Sequence, residues 1–234
     1  MYIGINHSIL IVDGDNLEKM KKRFISKVYS VVWLQLFFTS IFVGICNYVK
    51  PVQEFMIGPF GNGIMVVFSW LLIFLSISLF SCYDSIRGEP NNWMFWSIYT
   101  GIMIFLIGFI GVETNTEVLL LSGVLTIGIF GVLTLYSIQT KVDYTRTGDI
   151  LLILLFGCVL MGFLSVFLPF FCYIYPLIGA VIFSFYIVYD TQLIIKGGNN
   201  RNRYEIGDYM IVSLNLYLDI VNLFLYLIQI VTGR

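Results

Sequence analysis

Residues 213–230 read SLNLYLDIVNLFLYLIQI, long and apolar enough to enter a bilayer yet with an acid, Asp219, at the centre. Wound into a helix, Asn215, Asp219, Asn222, Tyr226 and Gln229 recur at steps of 4, 3, 4 and 3, which is the spacing of one helical face. The opposite face is Leu, Ile, Val and Phe. A carboxyl at membrane depth is costly and nearly always faces protein or a water-filled cavity. This stretch therefore predicts a helix inside a bundle, its polar stripe turned away from lipid.

The rest of the chain supplies the bundle. Of 234 residues, 59% are hydrophobic and 12% charged, about half the charged share of a soluble domain. Mean hydropathy is +0.90. Apolar runs of bilayer length lie at 28–49, 64–82, 93–112, 118–138, 150–168, 170–189 (extending to about 195) and 209–231. Pro169 divides the fifth from the sixth, because proline cannot continue a helix ladder. The reading is an all-α membrane protein of seven spans, with residues 1–27 as a short cytosolic tail and 28–234 as the transmembrane domain. Eleven of the 13 lysines and arginines fall in that tail or after spans two, four and six, which predicts a cytosolic N-terminus. The GNG tripeptide at 61–63 and residues 197–200 read as turns.

Several classes are excluded. The basic residues form no groove-sized cluster, so nucleic acid is not a partner. Cys46, Cys82, Cys158 and Cys172 have no CxxC pairing and read as small apolar residues. No nucleophile–histidine pair, phosphate loop or HExxH helix occurs, so an enzyme is not expected, nor a cofactor. No basic stretch precedes the N-terminal apolar residues, so a cleaved signal is not expected. Trp93, Trp96 and Tyr99 suit an interfacial aromatic belt. Gly123, Gly128, Gly131, Gly157 and Gly162 read as close-packing points. Glu113 and Glu117 read as solvated, and the Lys141, Asp143, Arg146, Asp149 loop as a wet surface.

The second acid deep in an apolar run is Asp190, in SFYIVYDTQLII. It lies about 7 Å from the end of span six, and Asp219 roughly 9–15 Å into span seven, at 1.5 Å per residue. The depths match, so the two carboxyls can meet on neighbouring helices. Such a pair cannot ionise twice cheaply and shares one proton. It can respond to pH, or lose its proton and take a hard cation such as calcium, with Asn215, Asn222 and Tyr186 as further oxygen donors. A proton-sharing clamp that only locks two helices is the equal alternative on the residues alone.

Five segments then carry a resemblance: KVYSVVWLQLFFTS (27–40), CYDSIRGEPNNW (82–93), LYSIQTKVDYT (135–145), VYDTQLIIKGGNNRNRYEIGDY (188–209) and LNLYLDIVNLFLYLIQI (214–230). Together they resemble the transmembrane Bax-inhibitor-motif family, in its Lifeguard and Golgi anti-apoptotic branch, from about residue 24 onward. The resemblance implies a seven-helix bundle with the last helix central. It further implies a calcium leak of the Golgi or endoplasmic reticulum and suppression of apoptosis, with the family's paired aspartates falling on Asp190 and Asp219. Calcium enters as permeant or bound ion, and Bcl-family or death-receptor pathway proteins as partners. Residues 101–109 lack the glutamate that many Bax-inhibitor members carry in the third helix. The alternatives to a leak are an adaptor acting through loops such as 87–93 and 196–208, and a proton-coupled transporter.

Overall fold

A computed structural model describes residues 2–5, 8–11, 14–88, 90–196 and 206–233. Two short strands, β1 (Tyr2–Ile5) and β2 (Ser8–Ile11), pair antiparallel, and every described element after them is a helix. The helices are α1 (Gly14–Tyr48), α2 (Lys50–Ile57), α3 (Pro59–Ser81), α4 (Tyr83–Arg87) and α5 (Asn91–Glu113). After them come α6 (Thr116–Gln139), α7 (Gly148–Ser165), α8 (Pro169–Lys196) and α9 (Tyr209–Thr232). Seven of these, all but α2 and α4, are long and apolar enough to cross a membrane.

The architecture is the expected all-α membrane bundle, with several local corrections. Helix α1 starts at Gly14, so the lysines expected in a tail are wound onto the first span. At 35 residues it is about 52 Å long, well beyond a ~30 Å hydrocarbon layer. The GNG tripeptide is not a turn but the first coil of α3. The turn lies just before it, at Gly58–Pro59, where proline occupies the start of the helix. Gly61 is required there for closeness: a Cβ would sit 2.2 Å from the Met56 carbonyl oxygen. Residues 197–200 lie outside the described residues. At the other predicted break, α8 begins at Pro169, as read from the sequence.

Of the five glycines read as packing points, only Gly162 has a close neighbour, Tyr175; a Cβ on Gly123, Gly128, Gly131 or Gly157 would meet nothing within 4 Å. Tyr99 is not in a belt either. It is buried between α3 and α9, and its hydroxyl is 2.8 Å from that of Ser76. Glu113 and Glu117 are exposed, as expected. The four cysteines are free, Cys46 and Cys158 buried, Cys172 half-buried and Cys82 exposed.

Helix α9 occupies the centre. Of its most apolar 18-residue stretch, 72% is buried, against 50% for that of α5 and none for that of α3. It packs along α8, α6, α1 and α5, while α3 and α7 stand outside α5 and α8 and reach it only through side chains. The start of α1, helix α4, the 140–147 connection, the end of α8 and the start of α9 share one end of the bundle, called the basic end below. Cross-bonds between these segments fix them there.

Candidate functional site

Helices α8 and α9 run antiparallel, and Asp190 lies near the end of one and Asp219 part-way along the other. The fold brings them together. Both side chains are buried, and the two carboxyls lie within interaction distance of each other. A carboxyl–carboxyl hydrogen bond exists only while one of the two holds a proton, since two carboxylates have acceptors and no donor. Asp219 Oδ2 is buried with no hydrogen-bond partner. Among the described residues, no lysine, arginine or histidine pairs with either acid.

Tyr186, one turn before Asp190, lies close enough to feel both carboxyls. Asn215 is half-buried, one turn from Asp219 toward the basic end. Asn222 donates its amide hydrogen to the Leu218 carbonyl of its own helix at 2.8 Å. Neither asparagine is bonded to the carboxyls. Among the described residues no third Asp, Glu, His or Cys joins the pair. Two carboxyls fall well short of the 6–8 oxygens of a resident calcium site.

Around this pair the sequence reading missed a set of latches at the basic end. Gln192, fully buried, accepts from the Tyr144 backbone N–H at 2.8 Å and donates to the Val142 carbonyl at 2.9 Å. It pins the connection between α6 and α7 to the same turn of α8 that carries Asp190. Lys196 Nζ donates to Asp143 Oδ1 at 2.9 Å, and Asp143 also accepts from the Thr145 N–H and hydroxyl. The loop read as a wet surface is thus a tethered one. The hydrogen bond from Lys196, then those from Thr145, lower the Asp143 pKa to about 2. A depressed carboxyl stabilises its loop above the ordinary Asp range and loses that contribution only as pH falls through about 2. The latch therefore does not titrate near neutrality.

A second latch closes the other side. Arg87 Nε donates to Asp208 Oδ1 at 2.7 Å, and the Asp208 side chain is only 3% exposed. Asn92, fully buried, reaches the Gly207 carbonyl at 3.4 Å. Inside the bundle, Gln35 Nε2 donates to Thr100 Oγ1 at 2.8 Å, and the Thr39 and Tyr217 hydroxyls meet at 2.9 Å. These bonds tie α1 to α5 and α9. The Tyr29 phenol faces the hydroxyls of Thr134 and Thr191, and all three oxygens are buried without a well-formed bond. The signal for Gln35, Thr39, Thr100 and Tyr217 was present: each is a polar side chain at membrane depth, where such groups face protein.

Comparison with known proteins gives the family. The family model described as "Inhibitor of apoptosis-promoting Bax1" matches residues 21–234. The chain belongs to the Bax-inhibitor family. It is 27% identical to human Protein lifeguard 3 over 92% of this chain and 70% of that protein. The mouse Protein lifeguard 3 is 29% identical, over 92% and 71% respectively. Bax inhibitor 1 of Schizosaccharomyces pombe is also 29% identical, over 91% of this chain and 77% of its own. Within this Bax-inhibitor chain, the five segments that carried the resemblance hold Gln35, Arg87, Asp143, Gln192 and both aspartates.

Proposed function

We propose that this Bax-inhibitor family protein is a pH-modulated calcium leak of an intracellular membrane, Golgi or endoplasmic reticulum, with anti-apoptotic activity, gated by Asp190 and Asp219. The N-terminus lies in the cytosol, so that the basic end and the aspartate pair face that side. The observation that carries the reading is the juxtaposition of two buried carboxyls without a basic partner among the described residues. Held by one proton, the pair clips α8 to α9. Losing that proton leaves two like charges in contact, which repel by about 4 kcal/mol at 4 Å and an effective dielectric of about 20. That energy shifts a two-state equilibrium by several hundred-fold, enough to part the helices. Separated carboxylates then offer oxygen to a passing divalent cation, with Asn215 on the approach from the basic end and Tyr186 beside the pair. The Asp143 latch, which holds down to about pH 2, is not the source of a response near neutrality.

Calcium entry into calcium-free proteoliposomes, followed against pH, tests this. Wild type admits calcium severalfold faster above neutrality than below it. Asp219→Asn and Asp190→Asn flatten the pH dependence. Wild-type flux no greater than that of empty liposomes would sink the leak.

One observation favours a second reading, a membrane-embedded adaptor without transport: the matching family description speaks of inhibiting apoptosis. The Bcl-family or death-receptor pathway proteins would then be its partners. Protection from apoptosis that survives both charge-neutral aspartate substitutions selects the adaptor, while protection lost together with flux selects the leak.

A further inference from the structure

Seven residues beyond Asp219, away from the basic end, the polar stripe of α9 reaches Tyr226, about 10 Å further along the helix. Its ring is seated on the backbone of α8 at Gly179, where a Cβ would fall 2.5 Å from ring atoms. Tyr175 meets the ring edge-on at 5.2 Å between centroids, and Phe183 lies tilted against it at 5.7 Å. The Tyr226 hydroxyl is 3.0 Å from that of Tyr175 and 3.6 Å from the Cys158 thiol, so α7, α8 and α9 converge on one oxygen. Phe183 packs in turn on Tyr186 at 5.7 Å, and Tyr186 lies one turn before Asp190 on α8. Aromatic rings thus fill the α8–α9 seam from the carboxyl pair outward to Tyr175.

Two details set this cluster apart from ordinary packing. The seat is a glycine, and any larger residue at 179 would evict the ring. Pro176, inside α8 between Tyr175 and Gly179, removes one ladder hydrogen bond from the stretch that forms the seat. The seat therefore lies within one turn of a gap in the hydrogen-bond ladder of its helix. The hydroxyl bonds that hold the ring are individually weak, about 1 kcal/mol each. What the ring supplies is bulk and dryness in a seam that is otherwise polar on its α9 side.

We propose that Tyr226, seated on Gly179, is a second barrier that closes the α8–α9 seam on the side of the carboxyl pair away from the basic end. This rests on reading the seam as the ion path and adds a position to it, in series with the aspartates. A barrier in series explains why parting the carboxyls alone need not leave an open pore.

Cys158 is a native reporter, being free, buried and next to the Tyr226 hydroxyl. With Cys46→Ala, Cys82→Ser and Cys172→Ser, it is the sole thiol in proteoliposomes of known orientation. A membrane-impermeant methanethiosulfonate reagent is applied to one side at a time. With Tyr226 in place, and in Tyr226→Phe, labelling is slow from both sides. Tyr226→Ala speeds it at least tenfold from the far side only. Gly179→Ala, which displaces the ring but keeps it, gives the same one-sided gain and serves if the alanine variant does not accumulate. An unchanged rate in these variants, or an equal gain from both sides, overturns the proposal. Calcium flux read on the same vesicles separates the two ideas. Fast far-side labelling without flux leaves the barrier standing and removes the leak; flux with slow labelling does the reverse.

Discussion

The most apolar 18-residue stretches of α3 and α9 have nearly the same mean hydropathy, 2.1 and 1.9, yet none of the α3 stretch is buried and 72% of the α9 stretch is. In water such similar helices would be buried alike, because apolar surface itself drives burial. In a bilayer lipid tails solvate Leu and Phe as well as protein does, so apolar content no longer chooses the inside. Polar side chains choose it. Helix α9 carries Asp219, Tyr217, Ser213 and Tyr226, whose partners are on α8, α1 and α7. The serines of α3 mostly bond back to their own helix, as Ser69, Ser76 and Ser78 do to carbonyls four residues earlier.

Thermal unfolding in lipid nanodiscs can break or sharpen this contrast. The largest effect is expected at Leu223, 1% exposed on α9, where Leu223→Ala opens a cavity and costs about 3 kcal/mol. Arg87→Ala weakens the hold on a nearly buried Asp208 and costs about 2 kcal/mol, short of a fully buried pair because Arg87 is 25% exposed. Tyr217→Phe removes the bond to Thr39 while keeping the ring, and costs about 1 kcal/mol. Trp70→Ala on α3, at a side chain 70% exposed, costs less than about 0.5 kcal/mol. A Trp70→Ala loss equal to that of Leu223→Ala would mean that α3 is covered by protein and that the contrast fails.

The latches explain why the sequence led to the aspartates and passed over their neighbours. Asp190 and Asp219 stand out because an acid in an apolar run is rare and costly. Gln192 sits two residues from Asp190 and reads as an ordinary polar residue near a helix end. Its importance lies in what it touches, the Val142 and Tyr144 backbone about 50 positions earlier, and no local pattern encodes that distance. Asp143 was legible only as a charge in a loop, since its tether Lys196 comes from another helix. The glycines show the reverse error. A small residue in a span invites close packing, but whether a neighbour approaches depends on which way the helix is turned, and four of the five face open space.

The seven spans, the break at Pro169 and the family followed from the chain alone, because span length answers to the thickness of the hydrocarbon layer and helix interruption to the missing proline N–H. The depths of the two acids followed as well, from a fixed rise per residue. That the carboxyls face one another, that Gly179 seats Tyr226, and that α9 is enclosed chiefly by α1, α5, α6 and α8 were decided only by tertiary packing. Helix rotation and neighbour choice are collective properties of many weak contacts, and no single stretch of sequence contains both sides of any of them.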